Sequence, residues 1–344
     1  MKPMNKLLLS IFIVSTSYLS AQTGGTTGFA FLNLPFTARV AGLGGSFITV
    51  RDQDVNLGLQ NPALLNGTMH KRGSISQALM PAGITNGALS YAYQFDNKVT
   101  GAAHFRYVSY GKMKRTDVNG ADLGTFSPGD FVLGVSAAKS INERMHIGAT
   151  LNMIYSQLDS YVAFGNSLDI GGCYTNEDKR FVLSGAVRNL GIQWKGYNGT
   201  RSDLPLEIQM GVSHKLSHAP FRFSLLAQHL QKWDLTYSDP NAKDRIDPLT
   251  GDTTFVKQVK FGGKLARHVA LQTEILLGQK LHLRVAFDFQ RRQELKVAQR
   301  PGIAGFSFGV GMYFKRFSLD YGLMAYSAAG YQNALSISVP LGRK

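Results

Sequence analysis

Apolar and polar positions alternate through most of this chain. In residues 281–290, LHLRVAFDFQ, one phase holds Leu281, Leu283, Val285, Phe287 and Phe289, and the other His282, Arg284, Ala286, Asp288 and Gln290. Successive side chains of a strand point to opposite faces, so this stretch reads as a strand with one apolar face and one polar, charged face. A helix, with a period of 3.6, would scatter both sets around its circumference. A soluble sandwich also has apolar strand faces, but full charges on the other phase and many repeats argue against it. Residues 145–158 set Met145, Ile147, Leu151, Met153 and Tyr155 against His146, Gly148, Thr150, Asn152 and Ser156. Residues 206–212 and 335–339 repeat the pattern. Strands apolar outside and polar inside, closed on themselves, make a transmembrane antiparallel up-and-down β-barrel.

Fourteen strand candidates follow one another: 72–80, 87–96, 98–110, 130–138, 145–158, 164–175, 180–191, 204–217, 220–229, 267–278, 280–291, 303–315, 316–326 and 330–340. Single-chain bacterial barrels have an even number of strands. The connections carry independent information. Those after even-numbered candidates are short: DN, SINER, TNEDK, LSHA, GQ and a bare junction at Lys315-Arg316. The long ones, 111–129, 193–203, 230–267 and 292–303, all follow odd-numbered candidates. Short periplasmic turns opposite longer external loops are the rule for such barrels, and the parity predicts both chain termini in the periplasm.

Two segments precede the repeats. Residues 1–21 read as a signal peptide, with Lys2 and Lys6 ahead of a short apolar run and small residues up to Ser20-Ala21. That run is too short to span a membrane. Residues 22–66 have no clean period. Gly42, Gly44 and Gly45 interrupt any strand, and residues 55–65 read as a short helix broken at Pro62. With Arg39 and Asn61, these residues define an expected plug inside the 67–344 barrel, entering from the periplasmic side.

Composition fits: 37 Gly, 21 Phe and 14 Tyr, and a mean hydropathy of -0.08. The net charge of +15 favours anionic partners such as lipopolysaccharide. Cys173 is the only cysteine and reads as a small packed residue. There is no HExxH, P-loop or paired-cysteine metal site, so no enzyme activity, cofactor or metal is expected. Arg106, Arg188, Glu207, Glu274, Arg284 and Asp288 fall on polar phases, as do His104, His146, His268 and His282. Buried charges need partners, which predicts a lumen network holding the plug. Trp194, Trp233, Tyr107, Tyr110, Tyr155 and Tyr161 lie near strand ends and suit interfacial girdles. The long loops carry Lys112, Arg115, Arg291 and Arg292, and the longest carries Trp233 and Tyr237 amid mixed charge. These are the expected partner-binding residues, by the anchor-and-rim logic of interfaces.

Several long strings also match a known family. They are FLNLPFTARVAGLGGSFITV and DVNLGLQNPALLN near the start, then YSQLDSY, APFRFSLLAQHL with WDLTYSDP, and FQRRQELKV with RPGIAGFSFG. The chain resembles the PorQ family of the type IX secretion system over nearly all of its mature length. That resemblance implies a non-enzymatic outer-membrane barrel with its loops at the cell surface. It also implies an attachment complex with the sortase PorU, the barrel PorV and the surface protein PorZ, which trims secreted cargo and links it to anionic lipopolysaccharide. More distantly, Asn61-Pro62-Ala63 behind a glycine-rich segment looks like the plug region of FadL-type barrels. The alternative reading is therefore a FadL-like transporter of hydrophobic small molecules. A lateral opening and an apolar lumen would mark a transporter; the polar inward phases favour the scaffold. No nucleic-acid partner is expected.

Overall fold

The computed structural model describes residues 27–96, 98–236, 245–246, 253–254, 259–295, 302–327 and 330–342; the expected signal peptide and Tyr237 lie outside them. Fourteen strands close into an antiparallel barrel. They are β1 (Arg72–Leu79), β2 (Thr85–Gln94), β3 (Val99–Ser109), β4 (Gly129–Ser140), β5 (Met145–Leu158), β6 (Tyr161–Thr175) and β7 (Phe181–Lys195). The second half comprises β8 (Glu207–Lys215), β9 (Phe221–Ala227), β10 (Val269–Leu277), β11 (Leu281–Asp288), β12 (Phe306–Tyr313), β13 (Ser318–Ser327) and β14 (Gly330–Pro340). Each pairs with its neighbours in sequence, and β1 closes on β14 with Arg72 opposite Pro340. Each strand overlaps the candidate of the same rank, with ends moved by a few residues. The shift at β11 has a visible cause. Asp288 Oδ1 accepts from the Arg291 amide at 3.0 Å, a capping bond that turns the chain into the helix Phe289–Leu295.

Burial follows the alternation. Outward positions such as Ile75, Leu133, Met153 and Leu271 are exposed, while inward neighbours such as Ser76, Asn152 and Gln272 are buried. A closed ladder leaves no strand edge, so its backbone groups are satisfied internally and an apolar outer face can sit in lipid. Among the described residues no helix is long and apolar enough to cross a membrane. Trp194, Tyr107, Tyr155 and Tyr161 stand on the outer face near one end. Tyr110 does not join them: it turns inward and donates to Asp130 at 2.5 Å. Cys173 is buried among apolar plug and wall residues. Arginine at Val285, which is exposed midway along β11 opposite Phe308 and Thr273, is expected to cost about 2–4 kcal/mol near the bilayer midplane. Urea-dependent folding into lipid vesicles measures it, and an unchanged midpoint would turn that face away from lipid.

All the turns after even-numbered strands are short. The other end carries the long excursions, among them a hairpin of Met113–Thr116 with Asp122–Phe126. The N-terminal segment departs from expectation. It does not enter from the short-turn end alone but traverses the lumen. Thr27 bridges to Asp203 at the long-loop end, where the Gly28 amide donates to Asp203 O at 2.9 Å. The chain then descends to Thr68 and enters β1 at the short-turn end. The reason is apolar matching. Phe29, Phe31, Leu32 and Phe36 need an apolar seat, and inward Ala88, Val108, Val132, Ile154 and Ala163 supply it towards the long-loop end. The expected broken helix is a pair of 3-10 turns, Val55–Leu59 and Pro62–Leu64, capped by the side chains of Asp54 and Asn61.

Candidate functional site

The lumen wall is shaped to take the segment. Gly148 and Gly171 lie on inward phases of β5 and β6, against Asn61 and Pro62; a Cβ on Gly148 would lie 2.5 Å from the Pro62 carbonyl carbon. On the other side, Gly42 meets Gly309 of β12, where a Cβ would lie 2.9 Å from the Gly309 Cα, and Gly322 of β13 abuts the Ala38 carbonyl. Asn61 staples the first of these sides, donating to Ser184 Oγ at 2.7 Å and accepting from the Ala63 amide at 2.9 Å.

Charge fixes the position of the segment. Arg39, in the short helix Ala38–Gly42, is buried and pairs with Glu274 of β10 at 3.0 Å, with Asp52 at 2.8 Å and with Asp54 at 3.5 Å. Glu274 also takes Arg222 of β9 at 2.7 Å and Arg284 of β11 at 3.2 Å. Arg284 continues to Asp320 of β13 at 2.6 Å and donates to the Tyr313 hydroxyl at 2.8 Å. Arg39 further stacks over Phe47, 5.2 Å from its centroid. Segment and wall thus share one ion network. Burial pushes Asp54 up to about 6 despite the pull of Arg39. Burial also opposes ionisation of Asp52, but Arg39 and Arg222 outweigh it and hold that carboxyl below its usual range.

Asp54 therefore has a signed consequence. A carboxyl raised from 3.8 to about 6 loses stability for the fold as pH rises through that interval. Asp54→Asn keeps the cap on Asn56 and removes the charge. The variant is expected to gain stability relative to the parent as pH rises from about 4 to about 6, with no difference below that interval. Denaturation midpoints of parent and variant across that range test it; a difference between them that does not grow from about pH 4 to about pH 6 would contradict the assignment.

The other inward charges form a looser set. Arg106 stacks over Phe36 at 5.3 Å and bonds Asn152 Oδ1 at 3.3 Å. Arg188 reaches Gln60 Oε1 at 3.3 Å and Leu32 O at 3.4 Å. Glu207 pairs with His229 at 2.6 Å, and Asp288 accepts from Gln228 at 2.8 Å. Glu207, Asp288 and Arg188 border a cavity of about 360 Å³ at the long-loop end, beside Gly44 and Gly45. Of the six sequence candidates, only Glu274 and Arg284 pair directly with each other. Asp52, Asp54, Arg222, Tyr313 and Asp320 went unnamed from sequence. Arg222, Tyr313 and Asp320 sit on inward phases, a signal that extending the alternation would have found.

The expected partner-binding residues divide. Trp233 is half exposed and stacks on His268 at 5.6 Å and against Phe261 at 5.4 Å. Lys112 is exposed beside the 113–126 hairpin, and Arg115 pairs with Asp159 while lying over Phe126. Arg291 and Arg292 are partly exposed. The helix Phe289–Leu295 folds them back, Arg291 towards Gly45 and Asp288, and Arg292 onto the carbonyl of Gly302 at 2.9 Å.

No family model and no curated protein matches the sequence. Solved structures do. The Pseudomonas putida toluene transporter TodX is similar over 89% of this chain and 98% of its own, with 12% identity and a TM-score of 0.53. A TodX monoaromatic hydrocarbon channel deltaS2 mutant gives 12% identity, 89% and 97% coverage and a TM-score of 0.51. A Pseudomonas aeruginosa FadL homologue aligns at 11% identity over 89% of this chain and 98% of its own, with a TM-score of 0.49. What is shared is the barrel fold.

Proposed function

We propose that the protein is a non-enzymatic outer-membrane barrel that anchors a cell-surface attachment complex of the type IX secretion system. Its short turns face the periplasm and its long loops the outside. PorZ, PorU and PorV are the proposed protein partners, with anionic lipopolysaccharide near the exposed Lys112 and Arg115. One observation carries the preference for a scaffold: the apolar part of the lumen is already occupied by Phe29, Phe31, Leu32 and Phe36, while the open space at the long-loop end is bordered by the charged groups of Arg188, Glu207 and Asp288. A hydrocarbon needs an empty apolar path. Every neighbouring pair of barrel strands is hydrogen-bonded, with register shifts in the β6–β7 and β13–β14 pairs. The likeness to a toluene transporter supports the second reading, a channel for hydrophobic small molecules, which would require the segment to move.

Exposed aromatic side chains anchor interfaces, and Trp233 offers one on the longest loop. Trp233→Ala combined with Tyr237→Ala is expected to release the partners while the barrel still folds. Co-purification of PorU, PorV and PorZ with the tagged double variant is the readout, alongside heat-modifiable gel mobility. Full retention by a folded variant would remove this loop from the interface.

A further inference from the structure

The short-turn end holds a feature that neither reading uses. A cavity of about 1370 Å³ opens there, walled by the turns that join β8 to β9, β10 to β11 and β12 to β13. Lys215, Lys280 and Lys315 line it, one from each turn, with His218 beside them. Lys215 ends β8 on the inward phase of Ser213, while Lys280 and Lys315 lie in the turns next to β11 and β12. All three border the cavity, where a lipid headgroup outside the wall would not sit. Residues 214–220, 277–281 and 313–318 contain no Asp or Glu. Asp52 at the floor is already paired with Arg39, and Arg222 with Glu274. The opposite arc of the rim is different, because its turns carry Asp96, Glu143, Glu177 and Asp178 among their cations, with Arg144 paired to Glu177. The positive field is thus confined to one arc, and a concave site lined by one sign of charge focuses it.

We propose that this cavity receives an acidic polypeptide segment of a partner on the short-turn side. The volume exceeds the roughly 300–1,000 Å³ of small-molecule sites, and three separated lysines match a row of carboxylates better than one compact anion. The floor is closed by the ion network around Glu274, so the segment docks and does not pass through. This site is independent of what the long loops bind.

The probe is a fluorescein-labelled hexaglutamate peptide, titrated by fluorescence anisotropy onto the full barrel in phosphatidylcholine nanodiscs. Saturable binding is expected, weakening as salt rises. Combined K215Q, K280Q and K315Q substitutions are expected to weaken it by about tenfold. K280Q alone is expected to give an intermediate loss, and K98Q, in the turn joining β2 to β3 across the barrel, none. Heat-modifiable mobility confirms that each variant is folded. Absence of binding to the parent, or parent-like binding by the folded triple variant, would overturn the proposal. So would loss of co-purifying phosphatidylglycerol from the triple variant with peptide binding unchanged, which would assign the lysines to lipid.

Discussion

Replacing Glu274 by alanine is expected to destabilise the barrel by about 3–5 kcal/mol, the cost of removing one partner from a buried ion pair. Glu274 is 1% exposed and accepts from three guanidinium groups, on Arg39, Arg222 and Arg284. Its removal leaves Arg284 with Asp320 and Arg39 with Asp52 and Asp54, but leaves Arg222 without a carboxylate within 4 Å among the described residues. The buried Arg39 and Arg284 would then face each other without the carboxylate between them. Glu274→Gln keeps the shape and loses the charge, so it separates packing from electrostatics. Urea midpoints of both variants against the parent provide the measurement. A cost below about 1 kcal/mol for alanine, the scale of an exposed pair, would mean that the network is solvated and does not lock the segment.

Removing residues 24–66 is expected to convert a closed barrel into a conducting pore. An eight-stranded barrel has room only for its own side chains, whereas sixteen to eighteen strands leave an aqueous channel. Fourteen strands lie near the second case, so something must fill the interior. Here the segment does so from Thr27 to Thr68. It fills the apolar side with Phe29, Phe31 and Phe36 and the charged side with Arg39, Asp52 and Asp54. The wall records the same fit in reverse: glycines at 148, 171, 309 and 322 leave hollows into which the segment packs. Without it, the wall would keep its ladder and its lipid-facing side chains, so the barrel is expected to insert while its lumen floods.

The wall was more legible in the sequence than its contents. Period-two alternation marks lipid-facing and lumen-facing positions directly, and the loop lengths sorted by parity, so strand number and closure followed from residues such as Leu281 to Asp288. The segment obeys no period, because it packs against a curved wall through single residues and not through a repeating face. Its direction was misjudged for that reason. Nothing local in Phe29 or Phe31 says that their seat is Val108, Val132 and Ile154, far along the chain. The ion network was half legible. Glu274 and Arg284 stood out as charges on inward phases, but pairing them with Arg39, Asp52 and Asp54 depends on where the segment runs. Arg291 and Arg292 looked like loop cations because the strand pattern stops there; the cap at Asp288 starts a helix that sets Arg291 beside Gly45 and Arg292 against the Gly302 carbonyl.

Single-channel recording in planar bilayers tests the sealed lumen most directly. The parent barrel is predicted to show no steady conductance, and the variant lacking residues 24–66, folded by the criterion of heat-modifiable mobility, to show a stable open pore. A parent that conducts steadily, or a folded deletion variant that stays as closed as the parent, would contradict the account.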